Sequence, residues 1–400
     1  MSDSASDPTR VGWLDGLRGV AALQVVLLHY ASAFLPAIGL RDPSLVRHGW
    51  ENAFIHTPLA LPFDGYAAVH LFFILSGVAL TYSFGAHPYA VAPAIVRRII
   101  RLGIPMAGGV LLGAVCFSLA SGAPKAAARI SGSLWLATLG PERIDVMSII
   151  HQIGLEGLLT GYDGDSIMPP PIRHWLGLVT THRSFNAPLW TLNIEFLGSL
   201  IVLGLIVVRR VVRRWIHLTF CTLLLIGSPT GVFGLFVVGH LAAEWLRRPA
   251  EHRSNRLLGV GLCGLGILLC STEILPAGQS PETMLPQSPY GATALFFGTA
   301  CLPGFQRALA KSAVRWLGKI SFSLYLVHVP ILIAAACPAF VAFAAHVDNL
   351  TAVAAASAIG WLLSLLAAAA FEYCIDRPAI RASRRVFRVL RRRLAKLPDD

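Results

Sequence analysis

Long apolar runs follow one another along the whole chain and are separated by short polar segments. Runs of about 20 apolar residues are typical of helices that cross a bilayer. Within lipid the backbone must form its hydrogen bonds internally, which only helices and closed β-barrels allow. The apolar runs are too long for barrel strands and do not alternate between apolar and polar residues, so they predict helices. The pattern therefore predicts an all-α, polytopic bundle of about ten transmembrane helices, at 19–36, 66–85, 99–120, 188–208, 216–229, 231–246, 257–275, 290–304, 318–340 and 350–373.

Two segments interrupt this regular pattern. The sequence SPTG at 228–231 predicts a turn between two short helices. Residues 121–187 hold only two modest apolar pieces, followed by DGDSIMPPPIRH, and we interpret them as a non-cytoplasmic excursion with re-entrant or interfacial helices. We expect a single membrane-embedded domain over 1–376 and a basic cytoplasmic tail over 377–400.

Composition and charge support this interpretation. The chain is 55% hydrophobic and 14% charged, whereas a soluble domain carries about 25% charged residues. The net charge of +12 could indicate nucleic acid as a partner, but 26 of the 33 Lys and Arg residues fall in alternate segments between the apolar runs. That asymmetry follows the positive-inside rule. It predicts cytoplasmic N- and C-termini in the plasma or inner membrane, with the lipid bilayer rather than nucleic acid as partner.

The seven cysteines do not change this picture. Most of them stand alone inside apolar runs, their number is odd, and their spacing matches no common metal-ligand motif. We therefore expect buried apolar thiols, with no metal site and no disulfide framework.

The first apolar run, LDGLRGVAALQVVLLHY at 14–30, carries Arg18 and His29. Eleven residues make roughly three helical turns, so both side chains share one helix face and are separated by about 16 Å along the axis. Arg18 would lie at the cytoplasmic boundary and His29 near the middle of the bilayer. An ionisable group at that depth is costly and is a functional hypothesis. The alternative is a neutral histidine that bonds a neighbouring helix.

Three later segments also place polar groups in apolar surroundings. RRIIR holds Arg98 and Arg101 one turn apart, and guanidinium forks match phosphate oxygens, although plain topology marking also explains them. NAPLWTLNIEFLG places the carboxylate of Glu195 inside an apolar run, and GKISFSLYLVHVPIL places His328 deep in the ninth predicted span. Hydrogen bonds between packed helices are the alternative explanation for both.

Taken in order, these segments resemble the motifs of the membrane acyltransferase-3 family. LDGLRGVAALQVVLLHY resembles its first-helix signature, in which ten residues separate Arg from His. LFFILSG, RRIIR, PLWTLNIEF, ISFSLYLVHVP and FEYCIDRPAIR resemble its later motifs, so that the resemblance covers 10–381. Members are integral-membrane enzymes that move acyl groups, commonly acetyl, from coenzyme A to hydroxyls of sugars, glycans or other small acceptors. The resemblance implies acyl-CoA as a donor co-substrate, with no permanently bound cofactor.

The resemblance also implies two sets of functional residues: catalytic His29, Glu195 and His328, and donor-binding Arg18, Arg98 and Arg101. His29 could act as a general base on the acceptor hydroxyl or carry the acyl group covalently. Glu195 or another carboxylate would orient the imidazole. The chain departs from the family at His70, where an acidic residue often precedes LFFxLSG.

A proton-coupled transporter of small molecules is the alternative function. Intramembrane histidines and a glutamate can form a proton relay. Transporters often have broken helices at matching positions in two halves of the chain, whereas this sequence shows only the break at SPTG. The sequence gives no indication of the oligomeric state.

Overall fold

The computed structural model describes residues 12–394 except 56, 121, 165, 167, 228–230, 248–252 and 272–287. Over these residues the chain is helical, and no strand is present apart from one isolated bridge between Asp163 and Thr180. The prediction of an all-α chain is confirmed. Most of the turn predicted at 228–231 lies outside the described residues.

Eleven main helices occur in the described part of the chain. They are α1 (Gly12–Phe34), α2 (Gly65–Gly85), α3 (Val91–Ala120), α4 (Val146–Thr160), α5 (Ala187–Val211), α6 (Arg214–Gly227), α7 (Val232–Leu246), α8 (Arg256–Ser271), α9 (Ser288–Cys301), α10 (Ser312–Ala344) and α11 (Asn349–Leu394). Shorter helices lie before α2 and on both sides of α4, at Pro36–Gly39, Glu51–Ile55, Ala123–Ser131, Leu134–Thr138 and Pro170–Leu176. The predicted excursion at 121–187 is thus built largely of short helices.

Six of the main helices are long and apolar enough to cross a bilayer, namely α1, α2, α3, α5, α10 and α11. The other predicted spans coincide with α6, α7, α8 and α9, which have 14, 15, 16 and 14 residues. At 1.5 Å per residue such helices reach about 21–24 Å, less than the ~30 Å hydrocarbon core. The structure therefore supports six candidate spans, while ten spans and cytoplasmic termini stay predictions.

The chain divides into two compact units. The first unit comprises Met1–Leu23, Tyr66–Tyr89 and Ile201–Ser321, and the second comprises Gln24–Gly65, Ala90–Leu200 and Phe322–Asp400. The boundaries fall inside α1, α5 and α10, after the first residue of α2, and in the connection between α2 and α3.

In the first unit, glycines allow helix backbones to approach closely. A Cβ at Gly239 of α7 would collide with the carbonyl oxygen of Ile74 in α2, and one at Gly77 would collide with that of Phe236. Only residues without a side chain permit such a crossing. The start of α1 is packed in the same way, since a Cβ at Gly19 would collide with backbone atoms at the start of α10. The glycines of the first motif therefore serve helix packing.

In the second unit, the predicted basic tail continues α11 as a helix as far as Leu394. Ala379, Ser383 and Phe387 recur every four residues and are buried, which gives this helix one apolar stripe. The guanidinium of Arg97 on α3 lies 5.1 Å from the ring centre of Phe387. The described part of the tail therefore packs on α3 through its apolar stripe.

The glycine crossing of α2 and α7 predicts an effect on stability. We expect Gly239→Ala to lower the free energy of unfolding by about 1–3 kcal/mol, because overpacking forces the backbones apart. Thermal unfolding of purified protein in detergent, followed by tryptophan fluorescence, measures this change. Gly261→Ala on α8 is the control, because a Cβ there meets no atom within 4 Å. Equal unfolding midpoints for the two variants would contradict the predicted close approach.

Candidate functional site

Two histidines that are distant in sequence meet in the second unit. His29 comes from the C-terminal half of α1 and His328 from α10, and Nε2 of His328 lies 3.1 Å from Nδ1 of His29. The ring centres are 4.9 Å apart. His328 is fully buried, whereas the side chain of His29 is partly exposed. The structure therefore brings together two of the three predicted catalytic residues.

Backbone carbonyls determine where the protons of these two rings lie. Nδ1 of His29 is 2.8 Å from the Val25 carbonyl oxygen, and Nδ1 of His328 is 3.0 Å from that of Leu324. A carbonyl oxygen only accepts, so both Nδ1 atoms carry the proton and both Nε2 atoms carry a lone pair. Nδ1–H of His29 is then shared between the Val25 carbonyl and Nε2 of His328.

This arrangement leaves one basic nitrogen available. Among the described residues, none forms a hydrogen bond with Nε2 of His29. A neutral imidazole nitrogen with a free lone pair can remove a proton from a hydroxyl or attack an acyl carbon. In this pair His29 has the position of a base, and His328 has the position of the group that orients the base through a hydrogen bond, as in a catalytic triad.

The short helix Leu134–Thr138 places an indole beside the reactive histidine. The ring centres of Trp135 and His29 are 5.4 Å apart. Ser133 caps this helix by accepting from the Leu136 amide at 3.1 Å, and its hydroxyl donates to the Ser32 carbonyl at 2.5 Å. The excursion is thereby fixed to α1 next to His29, which the sequence did not indicate.

The start of α5 and the residue before it are fixed to α10 near His328. Asn186 Nδ2 donates to the Leu326 carbonyl at 2.7 Å, and the Tyr325 hydroxyl donates to the Pro188 carbonyl at 2.9 Å. The hydroxyl of Thr191 lies 2.9 Å from that of Tyr325. These bonds fix the start of α5 and thus the position of Glu195, about one turn further on.

The predicted arginines of α3 each bind a carboxylate. Arg98 Nη2 donates to Glu195 Oε1 at 2.6 Å, and Arg101 Nη1 donates to Asp376 Oδ1 at 2.5 Å. Asp376 lies in the motif FEYCIDRPAIR, but no feature of the sequence singled it out. Glu195 was expected to orient the imidazole of His29. Its hydrogen bond with Arg98 indicates that it can instead orient a guanidinium. Some of the guanidinium N–H donors that were predicted to bind phosphate therefore bind carboxylates of the protein.

This cluster nevertheless keeps a positive surplus. Arg97, Arg98 and Arg101 outnumber the carboxylates of Glu195 and Asp376. Arg97 also interacts electrostatically with Arg384 of α11. Nε of Arg98 is buried and has no hydrogen-bond partner in the described part of the chain. Unsatisfied guanidinium donors with surplus charge suit a polyanionic ligand.

Arg18 and His70 belong to the first unit. Arg18 is partly buried, and none of the described residues forms a hydrogen bond or ion pair with it. His70 is buried, and its Nδ1 lies 2.9 Å from the hydroxyl of Ser288 on α9. At the position where the family often has an acid, the described structure thus shows a histidine bonded to a serine.

A cavity of about 350 Å³, lined by both polar and apolar groups, lies within the excursion of the second unit. Its lining residues are Pro141, Glu142, Arg143, Ser148, Gln152, Leu178, Val179, Thr180 and Arg183. Beneath it, Glu156 of α4 accepts a 2.6 Å hydrogen bond from the Val179 amide. Burial raises the pKa of Glu156 to about 7. The only sequence signal for this residue was a single carboxylate inside a modest apolar piece.

Comparison with known proteins agrees with this chemistry. A family described as an acyltransferase domain matches residues 11–373. The chain is also 23% identical over 448 aligned positions to a protein named O-acetyltransferase PaAT-1 from Phomopsis amygdali, over 95% of this chain and 85% of that protein. No solved structure shows a significant match. Because the family match runs from the first helix to the last long one, the chain belongs to the acyltransferase-3 family and is a membrane acyltransferase.

Proposed function

We propose that the protein transfers an acyl group, most simply acetyl, from cytosolic acyl-CoA to a hydroxyl of a sugar or glycan, with His29 as the general base. One observation carries the proposal: within an acyltransferase, Nδ1–H of His29 is held by His328 and Val25, which leaves the lone pair of Nε2 free. The name of the related O-acetyltransferase from Phomopsis amygdali supports an oxygen acceptor and an acetyl donor.

The reaction balances without any further reactant. Nε2 of His29 takes the proton of the acceptor hydroxyl while the hydroxyl oxygen attacks the thioester carbonyl carbon. A carbon–oxygen bond forms, the carbon–sulfur bond breaks, and the coenzyme A thiolate receives the proton from the imidazolium. General base catalysis of this kind contributes about 10²–10⁴-fold.

His328 acts as a positioning residue in this scheme. It accepts from Nδ1–H of His29 and so fixes both the ring orientation and the tautomer. When His29 gains a proton at Nε2, the same hydrogen bond and the Val25 carbonyl stabilise the new positive charge. The buried, neutral His328 can thus orient the imidazole of His29, which is the role that the family resemblance implies for Glu195.

The acyl donor would be held by arginines. Coenzyme A carries several phosphate charges, and guanidinium groups bind phosphate through paired N–H donors. Glu195 and Asp376 would keep the Arg98 and Arg101 guanidiniums in fixed orientations for the ligand. For Arg18, which lies in the first unit, a role in donor binding is what the family resemblance implies.

The acceptor would bind in the cavity of the excursion. Carboxylate, guanidinium, amide and hydroxyl groups line it, which suits the many hydroxyls of a carbohydrate. Its volume lies within the roughly 300–1,000 Å³ of small-molecule sites. Since the excursion is predicted on the non-cytoplasmic side, donor and acceptor would arrive from opposite faces of the membrane.

We expect His29→Ala to lower the turnover number by at least about 100-fold, because the base is lost. Transfer from labelled acetyl-CoA, measured in membranes with equal amounts of protein and analysed by mass spectrometry of surface glycans, gives the rate. His346→Ala is the matched control, since His346 makes the same bond to a carbonyl four residues earlier but is exposed. Turnover at the wild-type rate by His29→Ala would remove His29 from its role.

His328 should affect turnover and leave substrate affinity largely unchanged. We expect His328→Leu to lower kcat by at least about tenfold, because a hydrogen bond to a charged group is worth about 1.5–3 kcal/mol. His328→Gln, which can still accept from Nδ1–H of His29, should restore part of that loss. Steady-state kinetics at saturating donor test both variants. Equal rates for Leu and Gln would show that His328 does not act through this hydrogen bond.

The arginine pairs should affect donor binding. We expect Arg98→Gln and Arg101→Gln to raise KM for acetyl-CoA by about tenfold or more, since each loses charge-assisted bonds to phosphate. Arg385→Gln, on the exposed side of α11, is the control. Glu195→Gln should raise KM in the same way if it acts through Arg98. A fall in kcat with unchanged KM for Glu195→Gln would instead favour a role beside the imidazole.

A further inference from the structure

A second cluster of reactive side chains lies in the first unit and has no part in the proposed acyl transfer. His217 and Cys221 are one turn apart on α6, and His240 faces them from α7. All three are buried. Their ligand atoms, one from each residue, lie within 4.8 Å of one another.

The distances between these atoms match those around a tetrahedral zinc ion. Zn–N bonds near 2.0–2.1 Å and Zn–S bonds near 2.3 Å place two nitrogens about 3.3 Å apart and a nitrogen and a sulfur about 3.6 Å apart. Nε2 of His240 lies 3.3 Å from Nε2 of His217, and Sγ of Cys221 lies 3.6 Å from the same nitrogen. Two of the three distances between the ligand atoms therefore match those of a bound site, and the third lies within 4.8 Å.

Hydrogen bonds direct a lone pair of His240 into the cluster. The Thr81 hydroxyl donates to the Gly77 carbonyl at 2.7 Å, so its oxygen must accept from Nδ1–H of His240 at 2.9 Å. Nε2 of His240 then carries the lone pair. A second hydrogen bond of this kind, behind a ligating histidine, is typical of metal sites.

Without a cation, the partner histidine leaves a buried group unsatisfied. If Nε2–H of His217 donates to Nε2 of His240, then Nδ1 of His217 is an acceptor, and the described part of the chain offers it no hydrogen bond. If Nε2 binds a cation, the proton moves to Nδ1, and the backbone of Leu205 interacts with this imidazole. A cation bound by both Nε2 atoms would therefore use both lone pairs and leave the protons on the two Nδ1 atoms.

The surroundings suit a bound divalent ion. Leu205, Cys221 and Val237 form one apolar core cluster, which limits the access of bulk water to the ligands. The carboxylate of Glu244 interacts electrostatically with all three ligands, and Arg209, 3.7 Å from it, offsets part of that charge. The thiolate would supply one negative charge toward a dication, and the Glu244 carboxylate supplies a second that Arg209 and Arg247 partly offset.

We propose that His217, Cys221 and His240 bind one zinc ion, with water at the fourth position. Zinc is the ion that prefers a mixed imidazole and thiolate set in tetrahedral geometry. Binding converts the Cys221 thiol to a thiolate and releases its proton to solvent. The ion joins α6 to α7, and through Thr81 it holds α2 against them. Its role is to stabilise the first unit.

The test uses the full-length protein, purified in detergent with an affinity tag that contains no histidine. Elemental analysis should find about one zinc per chain in the wild type. Cys221→Ser and His240→Gln should each lower that content at least about fivefold, because a three-residue site loses a ligand. Cys116→Ser is the matched control, since Cys116 is a buried thiol of α3 in the second unit.

Two further measurements keep the test valid if a variant folds poorly. Cobalt exchanged into the wild type and into Cys116→Ser should give a thiolate-to-cobalt charge-transfer band, which Cys221→Ser should lack. Treatment of the wild type with phenanthroline should lower the thermal unfolding midpoint, and added zinc should restore it. Wild-type protein without stoichiometric zinc and without the cobalt band would overturn the proposal. So would stoichiometric copper or iron in place of zinc, or equal zinc in Cys221→Ser.

Discussion

The hydrogen bond from Nδ1–H of His29 to Nε2 of His328 is the interaction on which the proposed chemistry depends. It joins α1 to α10 and fixes which nitrogen of His29 keeps its lone pair. Val25 and Leu324 make the assignment unambiguous, because their carbonyl oxygens can only accept. A base deep in an apolar bundle needs such a support, since a mobile imidazole would lose both its orientation and its tautomer.

The charged groups of the second unit show how ionised side chains are held in a membrane protein. Arg98 and Arg101 do not stand alone beside lipid, since each binds a carboxylate brought by another helix. Such pairing lowers the cost of placing charge in apolar surroundings. Three arginines against two carboxylates still leave a positive surplus, so structural pairing and binding of an anionic donor are compatible at one site. The amphipathic end of α11 adds further positive charge beside α3.

The sequence predicted the helices and individual site residues, but it did not predict which residues contact each other. Apolar runs predicted every long helix, and the motif resemblance pointed to His29 and His328 separately. Their contact spans 299 positions, and helical periodicity contains no information about which faces of two distant helices meet. For the same reason Asp376 and Trp135 were missed, and His240 could not be connected to His217 and Cys221. Hydropathy predicts four more spans than the six that helix length supports, because a helix of 14–16 apolar residues does not show by its length whether it crosses the bilayer.

A structure of the protein bound to a non-hydrolysable analogue of acetyl-CoA tests the central claim most directly. The account predicts that the carbonyl carbon of the analogue lies beside Nε2 of His29, with room for an acceptor oxygen about 3–3.5 Å from that carbon. It also predicts that the phosphates contact Arg98 and Arg101, and that the bond between His29 and His328 is kept. An analogue whose carbonyl lies far from His29, or an imidazole that has turned away from His328, would contradict it.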